Sequence, residues 1–228
     1  LLALYAFTGG VPKYIELLLD KGCYTVNNMV NCIIQENSIF LEEGNVLLIQ
    51  EFGKKYGNYY SILSAIASGK NTTSEISEYA GSASVGGLLQ RLENDYEVIT
   101  KKRPILSKEG TQTVRYEISD NFLRFWFRYI VKYQDYIQSG LFNNLADIVK
   151  NDYPTYSGLI LEEYFREQLK EKQLFCNIGS WWETPKGKNK EQNEIDIVAI
   201  YADKKNVLIA EVKRQRKNFK PELLQQKV

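Results

Sequence analysis

The chain has 228 residues, 44% hydrophobic and 25% charged, a globular composition with apolar mass for more than one core. Its 29 Lys and Arg nearly balance 28 Asp and Glu, and with no histidine at all both Ser-His-Asp catalysis and His-ligated zinc are excluded within it. Cys23, Cys32 and Cys176 are an odd count without a C-x-x-C pair, so neither a disulfide framework nor a thiolate metal site is suggested, and a cytoplasmic setting is expected.

Residues 1–52 read as helical. Pro12 suits the first turn of a helix whose apolar positions Tyr14, Ile15, Leu17, Leu18 and Leu19 end at Gly22, and further helices are expected near 25–36 and 38–52. Residues 53–119 have another rhythm, with helices near 56–68, 73–80 and 84–95 followed by strands at 98–101 and 114–118. Thr72 and Glu75 have the spacing of a capping box. Helix, helix, turn, helix and hairpin is the order of a winged helix, with the loop from Lys102 to Thr111 as its wing.

Residues 120–155 form an aromatic helical connector. Asp120 caps the run Phe122-Leu123-Arg124-Phe125-Trp126-Phe127-Arg128-Tyr129-Ile130, whose aromatic density suits a core better than a base-stacking surface. Residues 156–228 read as helix (158–172), strand (177–183), polar loop (Pro185–Gln192), two strongly β-forming runs (194–201 and 206–213) and a terminal helix. Adjacent Trp181 and Trp182 should point to opposite faces, one packed and one partly exposed.

Charge is unevenly spread. Residues 200–228 carry eight Lys or Arg against three acids, a net +5, leaving −4 on the rest. A basic terminus suits a polyanion, or is simply a solvated face. No run reaches the ~20 apolar residues of a membrane span, and the start lacks the basic flank of a signal peptide; no membrane partner is expected. Without an initiator Met, and ending inside an apparent helix, the chain reads as a piece of a longer protein.

Three ionisable residues interrupt the last two apolar runs: Asp196, Glu211 and Lys213. On a strand, Glu211 and Lys213 would share a face. Asp196 then falls opposite Lys213, or opposite Glu211 if the register slips by two. Two carboxylates close together repel, and a hard divalent cation is the common way to keep both ionised. A Lys213 salt bridge to either acid on an exposed face is the simpler alternative.

Asp196, fourteen residues, then Glu211-Val212-Lys213 resembles the PD-(D/E)-x-K nuclease superfamily, although Ile195 stands where the usual Pro would be. The family's helical Glu is matched at Glu162 in Gly158-Leu159-Ile160-Leu161-Glu162, with Glu163 the second candidate. More widely, Gly9-Gly10-Val11-Pro12, the winged helix, the aromatic helix, Gly179-x-Trp181-Trp182, Glu194-Ile195-Asp196-Ile197-Val198-Ala199 and Glu211-Val212-Lys213 resemble the C-terminal half of archaeal-type P-loop ATPases, an AAA+/STAND-like group of archaea and bacteria.

That resemblance implies an α+β multidomain chain: a helical lid (1–52), a winged helix (53–119), a connector (120–155) and a truncated restriction-endonuclease-like domain (156–228) of unknown function. It implies Mg²⁺-dependent phosphodiester hydrolysis on DNA by Glu162, Asp196, Glu211 and Lys213, with Asp196 and Glu211 on the metal. No G-x-x-x-x-G-K-[ST] occurs here, so ATP enters only through an upstream ATPase domain of the same polypeptide. Phosphate contacts would fall to Lys101, Lys102, Arg103 and Lys108 of the wing and to Arg214, Arg216 and Lys217. The recognition helix carries only Arg91 against Glu93 and Asp95, so the winged helix also reads as a packing module. The alternative for the whole is a non-catalytic DNA- or protein-binding module regulated by the ATPase.

Overall fold

The computed structural model describes residues 1–82, 84–107, 114–183 and 193–227. It is an α+β protein in two units, Leu1–Lys102 with Arg115–Tyr153, and Arg103–Val114 with Pro154–Val228.

The first unit holds α1 (Leu2–Thr8), α2 (Pro12–Asp20), α3 (Val26–Ile33), α4 (Ile39–Phe52), α5 (Tyr56–Ala67), α6 (Thr73–Tyr79), α7 (Gly86–Asn94), β1 (Ile99–Lys102), β2 (Arg115–Ile118), α8 (Asn121–Phe125), a π-helical turn (Trp126–Val131), α9 (Gln134–Gln138) and the start of α10 (Phe142–Glu171). Its helix starts are written locally. Pro12 opens α2, where its missing N–H costs nothing. Thr72 accepts from the Glu75 amide while Glu75 accepts from the Thr72 amide at 3.1 Å, a complete capping box on α6. Asp120 Oδ1 accepts from the Leu123 amide at 2.6 Å and caps α8. β1 and β2 pair antiparallel from Ile99↔Ile118 to Lys102↔Arg115; Lys108 and the rest of 108–113 lie outside the described residues.

The aromatic run is core. Phe122, Phe125, Trp126, Phe127 and Tyr129 are all buried. Phe125 meets Phe7 edge-on at 5.2 Å, and Phe127 meets Tyr60 at 5.4 Å. The Trp126 indole N–H donates to the Leu41 carbonyl of α4 at 3.0 Å. At Gly44 of α4 an added Cβ would lie 2.1 Å from Trp126 Cδ2, so only glycine lets the helix and the indole approach. Arg128 Nε and the Tyr129 hydroxyl both donate to Asp152 Oδ2, at 2.8 and 2.6 Å.

The second unit contains the rest of α10, then β3 (Phe175–Trp182), β4 (Glu194–Tyr201), β5 (Val207–Ala210), a 3₁₀ turn (Arg216–Asn218) and α11 (Pro221–Gln226). The sheet is antiparallel in the order β3-β4-β5. Buried Ile105, Ile195 and Val198 form a small core against which half-buried Trp181 packs, whereas Trp182 is only 4% exposed; the two tryptophans divide as alternation requires. The Ile105 amide donates to the Ser180 carbonyl at 2.8 Å.

Two elements differ from the sequence reading. The helix expected at 158–172 is the end of α10, which runs through Pro154. Proline removes one helical hydrogen bond without ending the helix here, because Tyr153, Tyr156 and Ile160 on either side are buried. The strand expected over 206–213 stops at Ala210, so Glu211 and Lys213 lie beyond its end rather than on a regular strand face. The Pro185–Gln192 loop lies outside the described residues.

Candidate functional site

β4 carries Asp196 between buried Ile195 and Ile197, so pleat alternation sends its carboxylate away from them. The β4–β5 register pairs Ile197 with Ala210, and one further step sets Asp196 opposite Glu211, the slipped register of the two considered. The ladder ends there for a local reason. Asp196 Oδ2 accepts the Val212 amide at 2.8 Å, so that donor goes to a side chain instead of a neighbouring strand.

The turn away from β5 brings Lys213 back over both acids. Its ammonium lies 2.7 Å from Glu211 Oε2 and 3.4 Å from Asp196 Oδ2. The other Glu211 oxygen accepts from Lys227 at 2.6 Å, and that ammonium also donates to the Glu194 carbonyl at 2.7 Å. The Glu211 side chain is 8% exposed. Burial alone would raise its carboxyl, yet the hydrogen bonds from Lys213 and Lys227 hold it below the usual range. Burial likewise pulls the Lys213 ammonium down, and Glu211 and Asp196 outweigh it and raise it.

Glu162 enters from α10. Burial, reinforced by the negative charge of Asp196 and only partly opposed by Arg166, pushes its carboxyl up to about 8. Arg166, one turn on, approaches Glu162 Oε2 at 3.8 Å and donates to the Asp196 backbone carbonyl at 2.9 Å. Glu163 is half-buried and points about 100° around the helix from Glu162.

Asp196, Glu211 and Lys213 thus meet near the start of β4 just past the end of β5, with Glu162 of α10 near enough to feel the charges of Asp196 and Lys213. Arg166 and Lys227 are additions that the sequence reading missed. The i, i+4 spacing of Glu162 and Arg166 was a readable signal, whereas nothing in the sequence marks Lys227 as a partner of Glu211.

No group of three or more acidic or cysteine side chains among the described residues is disposed to hold a metal ion. The donors that fit a hard cation are the carboxylates of Asp196 and Glu211, both facing the single Lys213 ammonium. Two carboxylates suffice for Mg²⁺ where phosphate oxygens and water supply the remaining positions.

Lys101 and Lys102 lie half-buried on β1, with Lys102 paired to Glu117. Arg103, Arg214, Arg216 and Lys217 are exposed.

Residues 126–223 match the DUF234 family model, described as archaea bacterial proteins of unknown function. The chain is also similar to the uncharacterized protein MJECL04 of Methanocaldococcus jannaschii, with 31% identity over 229 residues that cover 93% of this chain and 47% of the relative. It therefore spans about half the length of that curated relative. No solved structure gives a significant match. The matched span runs from the π-helical turn to α11 and includes Glu162, Asp196, Glu211 and Lys213. No helix among the described residues is long and apolar enough to cross a membrane.

Proposed function

We propose that the second unit is a nuclease-like module that hydrolyses DNA phosphodiesters with Mg²⁺, within a longer polypeptide whose upstream P-loop domain hydrolyses ATP. The observation that supports this most is the Lys213 ammonium lying within 3.4 Å of both the Asp196 and the Glu211 carboxylates, beside half-buried Glu162.

In this reading Asp196 and Glu211 would hold the ion, and bound Mg²⁺ supplies charge stabilisation at a phosphoryl oxygen and a more acidic water. Lys213 orients the attacking water and, as a fixed ammonium, offsets negative charge developing on the phosphate. Glu162, neutral at pH 7 in its half-buried setting, keeps a proton beside Asp196 and limits repulsion between the acids. Arg166 fixes the Asp196 backbone. The exposed cations Arg103, Arg214, Arg216 and Lys217, with Lys101 and Lys102, would bind DNA phosphates without reading sequence.

A supercoiled plasmid assayed with Mg²⁺ or Mn²⁺ tests this. Nicking should occur with the wild type and fall at least about a hundredfold in Asp196→Ala and Glu211→Ala. Equal nicking by wild type and variants would sink the proposal.

A second reading is a non-catalytic DNA- or protein-binding module of the same fold. It is favoured by the state of Glu211, both of whose oxygens are already engaged by ammonium groups. DNA retained by a wild type that never nicks it selects this reading.

A further inference from the structure

We infer that the Lys227 ammonium holds the place of a divalent cation at Glu211, so that seating of α11 and metal binding exclude each other. The inference rests on the metal-site reading of Asp196 and Glu211 and adds a control element to it.

Glu211 has two oxygens with two different occupants. Oε2 faces Lys213, which is only two residues away and also reaches Asp196 at 3.4 Å; this ammonium belongs to the site itself. Oε1 faces Lys227, sixteen residues on, at 2.6 Å. Lys227 is anchored on its other side by the Glu194 carbonyl at 2.7 Å, so it bridges the start of β4 and the residue just past β5. Its ammonium is a compact cation with three donors, placed against oxygens of the kind that a hard metal ion takes as ligands.

The two lysines differ in what holds them. Lys213 sits on the short connection that the Asp196–Val212 hydrogen bond pins to β4. Lys227 closes α11, a helix of six residues opened by Pro221. In α11 only Leu224 is half-buried, and Leu223 is 51% exposed. The Lys227 bonds to Glu211 and to the Glu194 carbonyl tie the end of α11 to the sheet. A metal ion at Glu211 removes the acceptor from Lys227 and brings a second positive charge close to the ammonium; both effects release α11. By linkage, a seated α11 weakens metal binding by the same factor.

Mn²⁺ is the probe, followed by its electron paramagnetic resonance signal during titration into wild type and Lys227→Met, which keeps the length of the stem and loses the charge. The charge-assisted bond that is lost corresponds to about tenfold in affinity, so Lys227→Met should bind Mn²⁺ about tenfold more tightly. Mn²⁺ should also speed amide exchange across Pro221–Gln226 in the wild type. Asp196→Asn should abolish binding in both backgrounds.

Equal, Asp196-dependent affinity in wild type and Lys227→Met overturns the inference while the metal-site reading stands. Absence of Mn²⁺ binding from both proteins, with circular dichroism showing both folded, overturns both. Tighter binding by Lys227→Met without any DNA nicking supports the inference and removes the cleavage reading.

Discussion

Around Trp126 and around Asp196 the same chain solves burial in opposite ways. Trp126 is 2% exposed, its indole N–H donates to Leu41, and its neighbours include the rings of Tyr60 and Phe127 and the bare backbone of Gly44. Shape decides whether that region holds. Asp196 and Glu211 are nearly as enclosed, with side chains 13% and 8% exposed, but their neighbours are Lys213, Lys227, Arg166 and Glu162. Charge compensation decides there, with Glu162 protonated at pH 7. Packed interiors tolerate neither extra volume nor an unpaired charge, so each region should fail under the perturbation that the other survives.

The largest effect expected from a single methyl group is at the aromatic core. Gly44→Ala should cost about 3 kcal/mol, since the new Cβ overlaps the indole and α4 must retreat. Gly57→Ala in α5, where an added Cβ meets nothing within 4 Å, should be neutral or stabilising by about 0.5–1 kcal/mol. Urea denaturation of the two variants reads the contrast, and equal effects would break the claim that shape governs this core.

The charged edge should instead answer to pH. Glu162 keeps its proton in the folded protein up to about pH 8 and loses it above about pH 4.3 in an unfolded chain. The folded state therefore binds the extra proton in that window, and this group's contribution makes stability fall as pH rises through it. Glu162→Gln removes the dependence. It should exceed wild type by on the order of 5 kcal/mol at about pH 8.5 and match it below about pH 4. Parallel stability curves for the two proteins would contradict the half-buried, charge-facing placement of Glu162.

A smaller effect sharpens the comparison from outside both regions. Thr72→Ala removes the capping box of α6 and should cost about 1 kcal/mol at any pH where Glu75 is ionised, measured by the same denaturation.

What the sequence made legible was what depends on near neighbours. Pro12, Thr72 with Glu75, and Asp120 are local signals, and each occurs at a helix start. The aromatic run could be read as core because so many large rings have no other economical placement. Asp196, Glu211 and Lys213 were visible because ionisable residues inside β-forming runs demand compensation. The rest depended on distant partners. The end of β5 at Ala210 follows from an Asp196–Val212 bond that no propensity contains, and α10 passes Pro154 because buried residues flank it. The need for glycine at Gly44 is set by Trp126, 82 residues away, and Lys227 finds Glu211 through tertiary contact alone.

The most direct test of the account is whether a divalent ion stabilises the folded protein through Asp196 and Glu211. In scanning calorimetry, saturating Mg²⁺ should raise the wild-type melting temperature by a few degrees, because an ion held only by the folded state adds its binding free energy to stability. Asp196→Ala and Glu211→Ala should each lose that shift. A wild type whose melting temperature ignores Mg²⁺, or variants that keep the full shift, would contradict the account.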